Sequence, residues 1–367
     1  MSKFLISCGG TGGHLAPGIA VGEALIARGH QAVFIISQKD VDSRLVEKYT
    51  HLKFYRAPGC AFSLNPIRLA KFALAQIKAV RFGLHLFKTE NADATIAFGG
   101  FNSMGLAIAA CILKKPIILH EANRKPGKAI RLLGGIADRV YIPAGVKISR
   151  SKAGIVRTAG YPIRREIKRL DAEESKNVFG FPKDANLLLV CGGSQGAAVL
   201  NDWALADFPK LAQNGIDVLC ISGPGKVARK NMELPDANGR PRLFKTLEFC
   251  DNMAAAMSAA KVVVARAGAG SIAEFARCKT VPILVPYPSS ADNHQAENAL
   301  YTERNGAGIC VLQTKIATLT DEVLSLIEND GLLEKMRGNL ERLDEMGNLE
   351  KMVDDLEHVL KEAQGGE

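Results

Sequence analysis

His14 stands directly after "GGTGG", Gly9 to Gly13, and the two features together could do one kind of chemistry. Glycines let backbone N–H groups approach a ligand closely. A helix start adds its own free N–H groups, so the segment can cradle an anion, most often a phosphate. Near a helix N-terminus the dipole disfavours the imidazolium, and a neutral His14 ring can accept a proton. A similar Gly-Gly-(Thr/Ser)-x-Gly turn returns in "LVCGGSQGA", Leu189–Ala197, with looser versions in "AFGGFNSMG" and "VARAGAGSIAE". The plain alternative for any one of these loops is a tight turn, and for His14 a structural cap or hydrogen bond.

Three familiar patterns fit poorly. Counted from Gly10 and Gly12, the third glycine of a dinucleotide fingerprint falls on Leu15, and the second strand runs into Gln38 and Lys39 instead of an acid. A P-loop needs Gly-Lys-Ser/Thr, whereas Gly13 is followed by His14. The D-x-D match Asp40-Val41-Asp42 lies away from the other motifs and reads as a solvated loop or helix start. No metal and no cofactor are implied.

The elements that position these residues alternate. "FLIS", "AVFIIS", "ATIAF", "PIILH" and "RVYIP" read as buried parallel strands, and "NLLLVCG", "DVLCIS", "KVVVAR" and "VPILVPY" repeat the pattern later. Helical periodicity fills the gaps, as in "IAVGEALIARG", closed by Gly29. The expectation is an α/β fold with two doubly wound, Rossmann-like domains. A length of 367 residues suits two domains. The linker is expected near Thr158–Ile167, with domains at 1–161 and 162–345. Thr320 is a candidate N-cap with Asp321 and Glu322 in the first turn, and "LEKMVDDLEHVLKEA" is amphipathic.

Composition is that of an ordinary globular chain, 47% hydrophobic and 23% charged. No apolar run approaches the roughly 20 residues that span a bilayer. The one Lys and short apolar run at the start are too brief for a signal peptide, which reads as a cytoplasmic protein. Of the eight cysteines, Cys8, Cys111, Cys191, Cys220 and Cys310 lie in apolar segments, and none forms a CxxC pair, so reduced core thiols are expected. Charge is uneven: residues 1–161 hold 23 Lys+Arg against 8 Asp+Glu, and the rest 24 against 30. A basic first half attracts nucleic acid, anionic lipid or phosphorylated substrates, and no nucleic-acid motif accompanies it. "NPIRLAKFALAQIKAVRFGLHLF", Asn65–Phe87, sets Arg68, Lys71, Lys78 and Arg81 beside a broad apolar face. That reads as a surface for anionic lipid, or as a core helix with basic edges.

Taken in order, "GGTGGHLAPGIAV", "HEANRKPGKA", "GYPIR", "GGSQGA", "RAGAGSIAEF" and "DNHQAENA" resemble the MurG family, the bacterial cell-wall N-acetylglucosaminyltransferases, over nearly the whole chain. The resemblance implies a GT-B architecture: two Rossmann-like domains facing a cleft, with a C-terminal helix, about 346–367, returning to the first. It implies transfer of N-acetylglucosamine (GlcNAc) from UDP-GlcNAc to the C4 hydroxyl of N-acetylmuramic acid (MurNAc) in lipid I, giving lipid II. The first domain would face the acceptor and the membrane, and the second would bind UDP-GlcNAc. The protein would sit peripherally on the anionic cytoplasmic face of the inner membrane.

By the same resemblance, Thr11, Gly12 and Gly13 form the loop beside the transferred sugar and the lipid pyrophosphate, and His14 is the general base. Asn123 contacts GlcNAc. Arg164 and Ser194 are donor contacts, with Gln195 beside the diphosphate and the Cys250 backbone at the uracil. Ala269, Gly270 and Ser271 open the nucleotide turn, Glu274 takes the ribose hydroxyls, and Gln295 a sugar hydroxyl. A carboxylate that accepts from two vicinal hydroxyls suits that role, and helix N-termini suit a departing diphosphate. Ala122, Tyr161 and Gly270 depart from the family's usual Gln, Asn and bulkier residue. The competing readings are a related lipid glycosyltransferase such as a diacylglycerol galactosyltransferase, a Rossmann oxidoreductase, and a non-catalytic nucleotide-sugar-binding partner.

Overall fold

The structure, a computed structural model, describes residues 1–9, 12–38, 46–58, 65–100, 102–152, 154–226, 231–345 and 349–365. The chain divides into two compact units, Met1–Arg164 with Met346–Glu367, and Arg165–Glu345.

The first unit is built on seven parallel strands in the order β3-β2-β1-β4-β5-β6-β7. They are β1 (Lys3–Ser7), β2 (Gln31–Ile36), β3 (Lys53–Arg56), β4 (Ala94–Ala97), β5 (Ile117–His120), β6 (Arg139–Ile142) and β7 (Val156–Thr158). Alternate residues of each central strand enter different cores. Phe4, Ile6, Phe34, Ile36, Ile96 and Tyr141 pack on one face. Leu5, Val33, Ile35, Ala97, Val140 and Ile142 pack on the other. Both faces are covered, so the central strands read as continuous apolar runs. Strand order reverses between β1 and β4, and open α/β sheets take ligands at the C-terminal strand ends of such a switch point.

The second unit repeats the plan in the order β10-β11-β9-β8-β12-β13-β14. Its strands are β8 (Asn186–Cys191), β9 (Ile216–Ile221), β10 (Met232–Pro235), β11 (Pro241–Leu247), β12 (Val262–Ala265), β13 (Val281–Leu284) and β14 (Ile309–Cys310). Only the β10–β11 pair is antiparallel. The switch point falls between β8 and β12.

The C-terminal helix Leu349–Gly365 returns to the first unit, as the resemblance implied. Its apolar stripe of Met352, Val353, Leu356, Val359 and Leu360 completes the core over β1 and β2. Polar contacts fix its register: Arg28 pairs with Glu350 and Asp354, and Tyr141 Oη donates to Asp355 at 2.7 Å. The helix Gly12–Ala27 ends as expected at Gly29, where φ is +83°. There the Gly29 and His30 N–H groups bond back to Ile26 and Leu25.

Two local expectations fail. Thr320 is not an N-cap: the helix Leu319–Ile327 begins one residue earlier, and buried Thr320 Oγ1 accepts the Trp203 indole N–H at 3.0 Å. A buried indole needs an acceptor, and that need claims the hydroxyl. Cys111 is exposed on the outer face of the helix Asn102–Ile112, whereas Cys8, Cys191 and Cys220 are buried. The Asp40–Asp42 match and Cys60 lie outside the described residues.

Candidate functional site

In the first unit Gly12, Gly13 and His14 follow β1 at the β1/β4 switch point, and Asn123 lies past the end of β5. The helix carrying His14 starts at Gly12, five residues after β1 ends; Thr11 lies outside the described residues. Gly13 is exposed and its carbonyl accepts from Tyr161 Oη at 3.2 Å, which ties the first turn to the segment after β7. His14 is half-buried against the turn that follows β4. A Cβ at Gly99 would stand 3.4 Å from its Nε2, and one at Gly100 would stand 3.7 Å from its Nδ1. Both glycines have positive φ, +103° and +78°, so a side chain at either would be strained, and a Cβ there would lie in ordinary contact with the imidazole.

A second imidazole, His120 at the end of β5, had not been singled out in the sequence. It is buried, stacks on Phe98 with ring centroids 5.2 Å apart, and donates from Nε2 to the Gly160 carbonyl at 3.1 Å. Burial drives its pKa down to about 4, the bond to Gly160 opposes that, and the charge of His14 lowers it further. His120 is therefore a neutral ring beside the candidate base. Glu121 follows, also buried, and its carboxylate accepts from the Asn123 backbone, the Asn123 side chain and the Gly127 backbone. Asn123 thus sits in a braced turn at the end of β5. A polar pair closing an apolar strand, "PIILHE", was the signal available.

Arg164 is half-buried, with Nη1 3.5 Å from Tyr49 Oη, at the last residue of the first unit.

In the second unit the candidate groups sit at the β8/β12 switch point. Ser194 and Gln195 occupy the exposed centre of a turn closed by the Gly196 N–H on the Gly193 carbonyl at 3.0 Å. Gly196 has φ +67°, and a Cβ there would lie 1.9 Å from the Ser222 carbonyl oxygen, so only glycine fits. The helix Ala198–Gln213 starts behind this turn from Ala197, which offers no side-chain cap. The helix Ala269–Cys278 likewise starts from Gly268 without one, and Ala269, Gly270 and Ser271 form its first turn. Two uncapped helix starts therefore flank the switch point, leaving first-turn N–H groups for an anion.

Glu274 lies half-buried one turn further on. Burial pushes the Cys191 thiol up to about 12, and Cys220 and the Glu274 carboxylate add to it, which puts Glu274 near the end of β8. Cys250 is buried and also felt by Cys191. Gln295 is partly committed: its Oε1 accepts from the Tyr287 N–H at 2.9 Å. The loop before it holds Asp292 and Asn293 in consecutive left-handed conformations, φ +51° and +60°. Backbone strain of this kind collects at ligand sites. Arg266 and Asn298 lie inside "RAGAGSIAEF" and "DNHQAENA", with no role assigned from the sequence. Arg266 holds the Val285 and Pro286 carbonyls and Gln313, and Asn298 holds the Ala267 carbonyl, so they fix the strand ends around the site. Among the described residues, no group of three or more His, Cys, Asp or Glu could hold a metal ion.

Two Rossmann-like units, each with a topological switch point, define a two-domain α/β protein. The sequence matches the glycosyltransferase family 28 N-terminal domain over residues 4–142 and the glycosyltransferase family 28 C-terminal domain over residues 187–351. The chain belongs to glycosyltransferase family 28. It is 48% identical, over 98% of its length and 96% of the relative's, to the UDP-N-acetylglucosamine--N-acetylmuramyl-(pentapeptide) pyrophosphoryl-undecaprenol N-acetylglucosamine transferase of Opitutus terrae. The protein of that name from Geotalea daltonii is 31% identical over 96% of this chain and 97% of its own. Among solved structures, Acinetobacter baumannii MurG aligns over 96% of this chain and 98% of its own, with a TM-score of 0.71 at 22% identity. The glycotransferase of kitacinnamycin aligns over 98% and 99%, with the same TM-score at 14% identity.

Proposed function

We propose that the chain is a hexosyltransferase that moves GlcNAc from UDP-GlcNAc to the C4 hydroxyl of MurNAc in lipid I, forming lipid II for peptidoglycan synthesis. The observation that carries this reading is the 48% identity, across 98% of the chain, to a relative whose name states that donor and acceptor. The second unit takes the donor. Glu274 receives the ribose hydroxyls, the Cys250 backbone meets uracil, and Ser194, Gln195 and the Ala269–Ser271 turn receive the diphosphate. Gln295 and Arg164 add donor contacts. The uncapped starts of Ala198–Gln213 and Ala269–Cys278 support this, because fixed N–H groups stabilise the charge that develops as UDP departs. The first unit takes the acceptor. The 11–13 loop receives its pyrophosphate, and His14 removes the proton from the attacking hydroxyl, while Asn123 contacts the transferred GlcNAc. Attack from the face opposite UDP inverts the α-linked donor to a β product.

The acceptor is lipid-linked, and no helix among the described residues is long and apolar enough to cross a membrane. The reading places the protein peripherally on the cytoplasmic face of the inner membrane. The helix Pro66–Glu90 supports this, since it exposes Leu74 at 61% and Ile77 at 51% between exposed Lys71, Lys78 and Arg81. The side chain of Arg68 is outside the described set. The helix runs into β4 four residues after it ends, so its first half lies toward the C-terminal edge of the sheet, the same edge as His14.

The test is UDP release by the full chain from UDP-GlcNAc with a short-chain lipid I analogue. The expected result is acceptor-dependent release with a disaccharide product. Release with diacylglycerol and UDP-galactose instead, or donor binding without turnover, would overturn the reading.

A further inference from the structure

We infer that Glu121 is a positioning residue for the transferred sugar, acting through the amide of Asn123; this rests on the function proposed above. The backbone N–H of Glu121 continues the β5–β6 ladder by donating to the Tyr141 carbonyl at 2.9 Å, so its Cα is fixed by the sheet. Its side chain is 5% exposed. Oε1 accepts from the Asn123 backbone N–H at 2.8 Å and from Asn123 Nδ2 at 3.0 Å. Oε2 accepts from the Gly127 N–H at 2.7 Å, where the helix Lys128–Leu133 begins. One carboxylate therefore closes the whole turn from 121 to 127 from inside.

The chemistry fixes more than the backbone. A carboxylate accepts, so the Asn123 amide must turn its NH2 toward Glu121, and Oδ1 becomes the end directed away from it. Glu121 thereby sets the orientation of the Asn123 amide. Glutamine at 121 cannot reproduce this. Its one oxygen can serve either Asn123 or Gly127, and its NH2 then faces an N–H on the other side.

The test is a double-mutant cycle in turnover, paired with amide hydrogen exchange, using Glu121→Gln, Asn123→Ala and the double variant in the full chain. Glu121→Gln is expected to lower kcat/KM for UDP-GlcNAc, with the lipid I analogue saturating, about 10- to 100-fold, the loss of one or two hydrogen bonds to a charged group. UDP affinity in the second unit should stay within about twofold. The double variant should be no worse than Asn123→Ala, because Glu121 acts through that amide. The Asn123 and Gly127 amides should exchange faster in Glu121→Gln while the β8 and β9 amides do not change. Glu121→Asp, one methylene too short to reach both sides, should lose activity similarly with its charge kept.

Losses that multiply in the double variant, unchanged exchange at Asn123 and Gly127, or a fully active Glu121→Asp would each overturn the inference. A wild type that releases no UDP with the analogue sinks the function instead. The exchange data then still decide whether Glu121 orders the turn.

Discussion

The buried imidazole of His120 makes the first unit's stability depend on pH between about 4 and 6.5. Its pKa in the folded chain is about 4, against an ordinary value of 6.5. The sign follows from proton counts. Between those two values the unfolded chain binds the proton and the folded chain does not, so stability rises with pH through the window and levels off above about 6.5. A difference of about 2.5 units corresponds to about 3 kcal/mol between pH 6.5 and pH 4. His120→Gln keeps an N–H donor for the Gly160 carbonyl and cannot titrate. Its stability should therefore lack this component while sharing every other pH effect with wild type. Urea unfolding followed by far-UV circular dichroism across pH 4–7.5 reads the difference. Equal pH slopes for wild type and His120→Gln would refute the reasoning.

His14→Ala should lower kcat by about 10²–10⁴-fold, the usual worth of a positioned base, and leave UDP binding by calorimetry nearly intact; near-normal kcat would make the histidine structural. Glu274→Ala should weaken UDP-GlcNAc binding by about 1.5–3 kcal/mol, the loss of a charged hydrogen-bonding partner, and calorimetry showing unchanged affinity would remove it from the donor site. Reversing Lys71, Lys78 and Arg81 to Glu should release the protein from anionic vesicles in sedimentation, where added salt should release wild type partly; equal sedimentation of mutant and wild type would leave Leu74 and Ile77 without a membrane role.

The amino-acid sequence by itself determined the central strands, because a strand buried on both faces has to be apolar along its whole length. "FLIS", "ATIAF", "NLLLVCG" and "KVVVAR" could be read directly for that reason. It also determined the glycine turns and the amphipathic last helix, whose stripe has a helical period. Edge and near-edge strands were not legible. β3, β7 and β10 carry half-exposed, mixed residues such as "KFYR" and "VRT", and only pairing with a neighbour makes them strands. The site followed the same division. Residues in glycine-rich motifs announced themselves, and the resemblance carried their proposed roles. His120, Glu121 and Arg266 lie inside quoted motifs without showing what they hold: Glu121 braces its own turn, whereas His120 and Arg266 hold atoms far away in sequence. His120 meets Gly160 forty residues on, and Arg266 meets Val285 nineteen residues on. Thr320 shows the reverse: a sound local cap signal lost to a buried indole 117 residues away. Local chemistry is written in neighbouring residues, whereas a buried polar atom takes whichever partner the packed chain brings to it, and only the tertiary structure decides which that is.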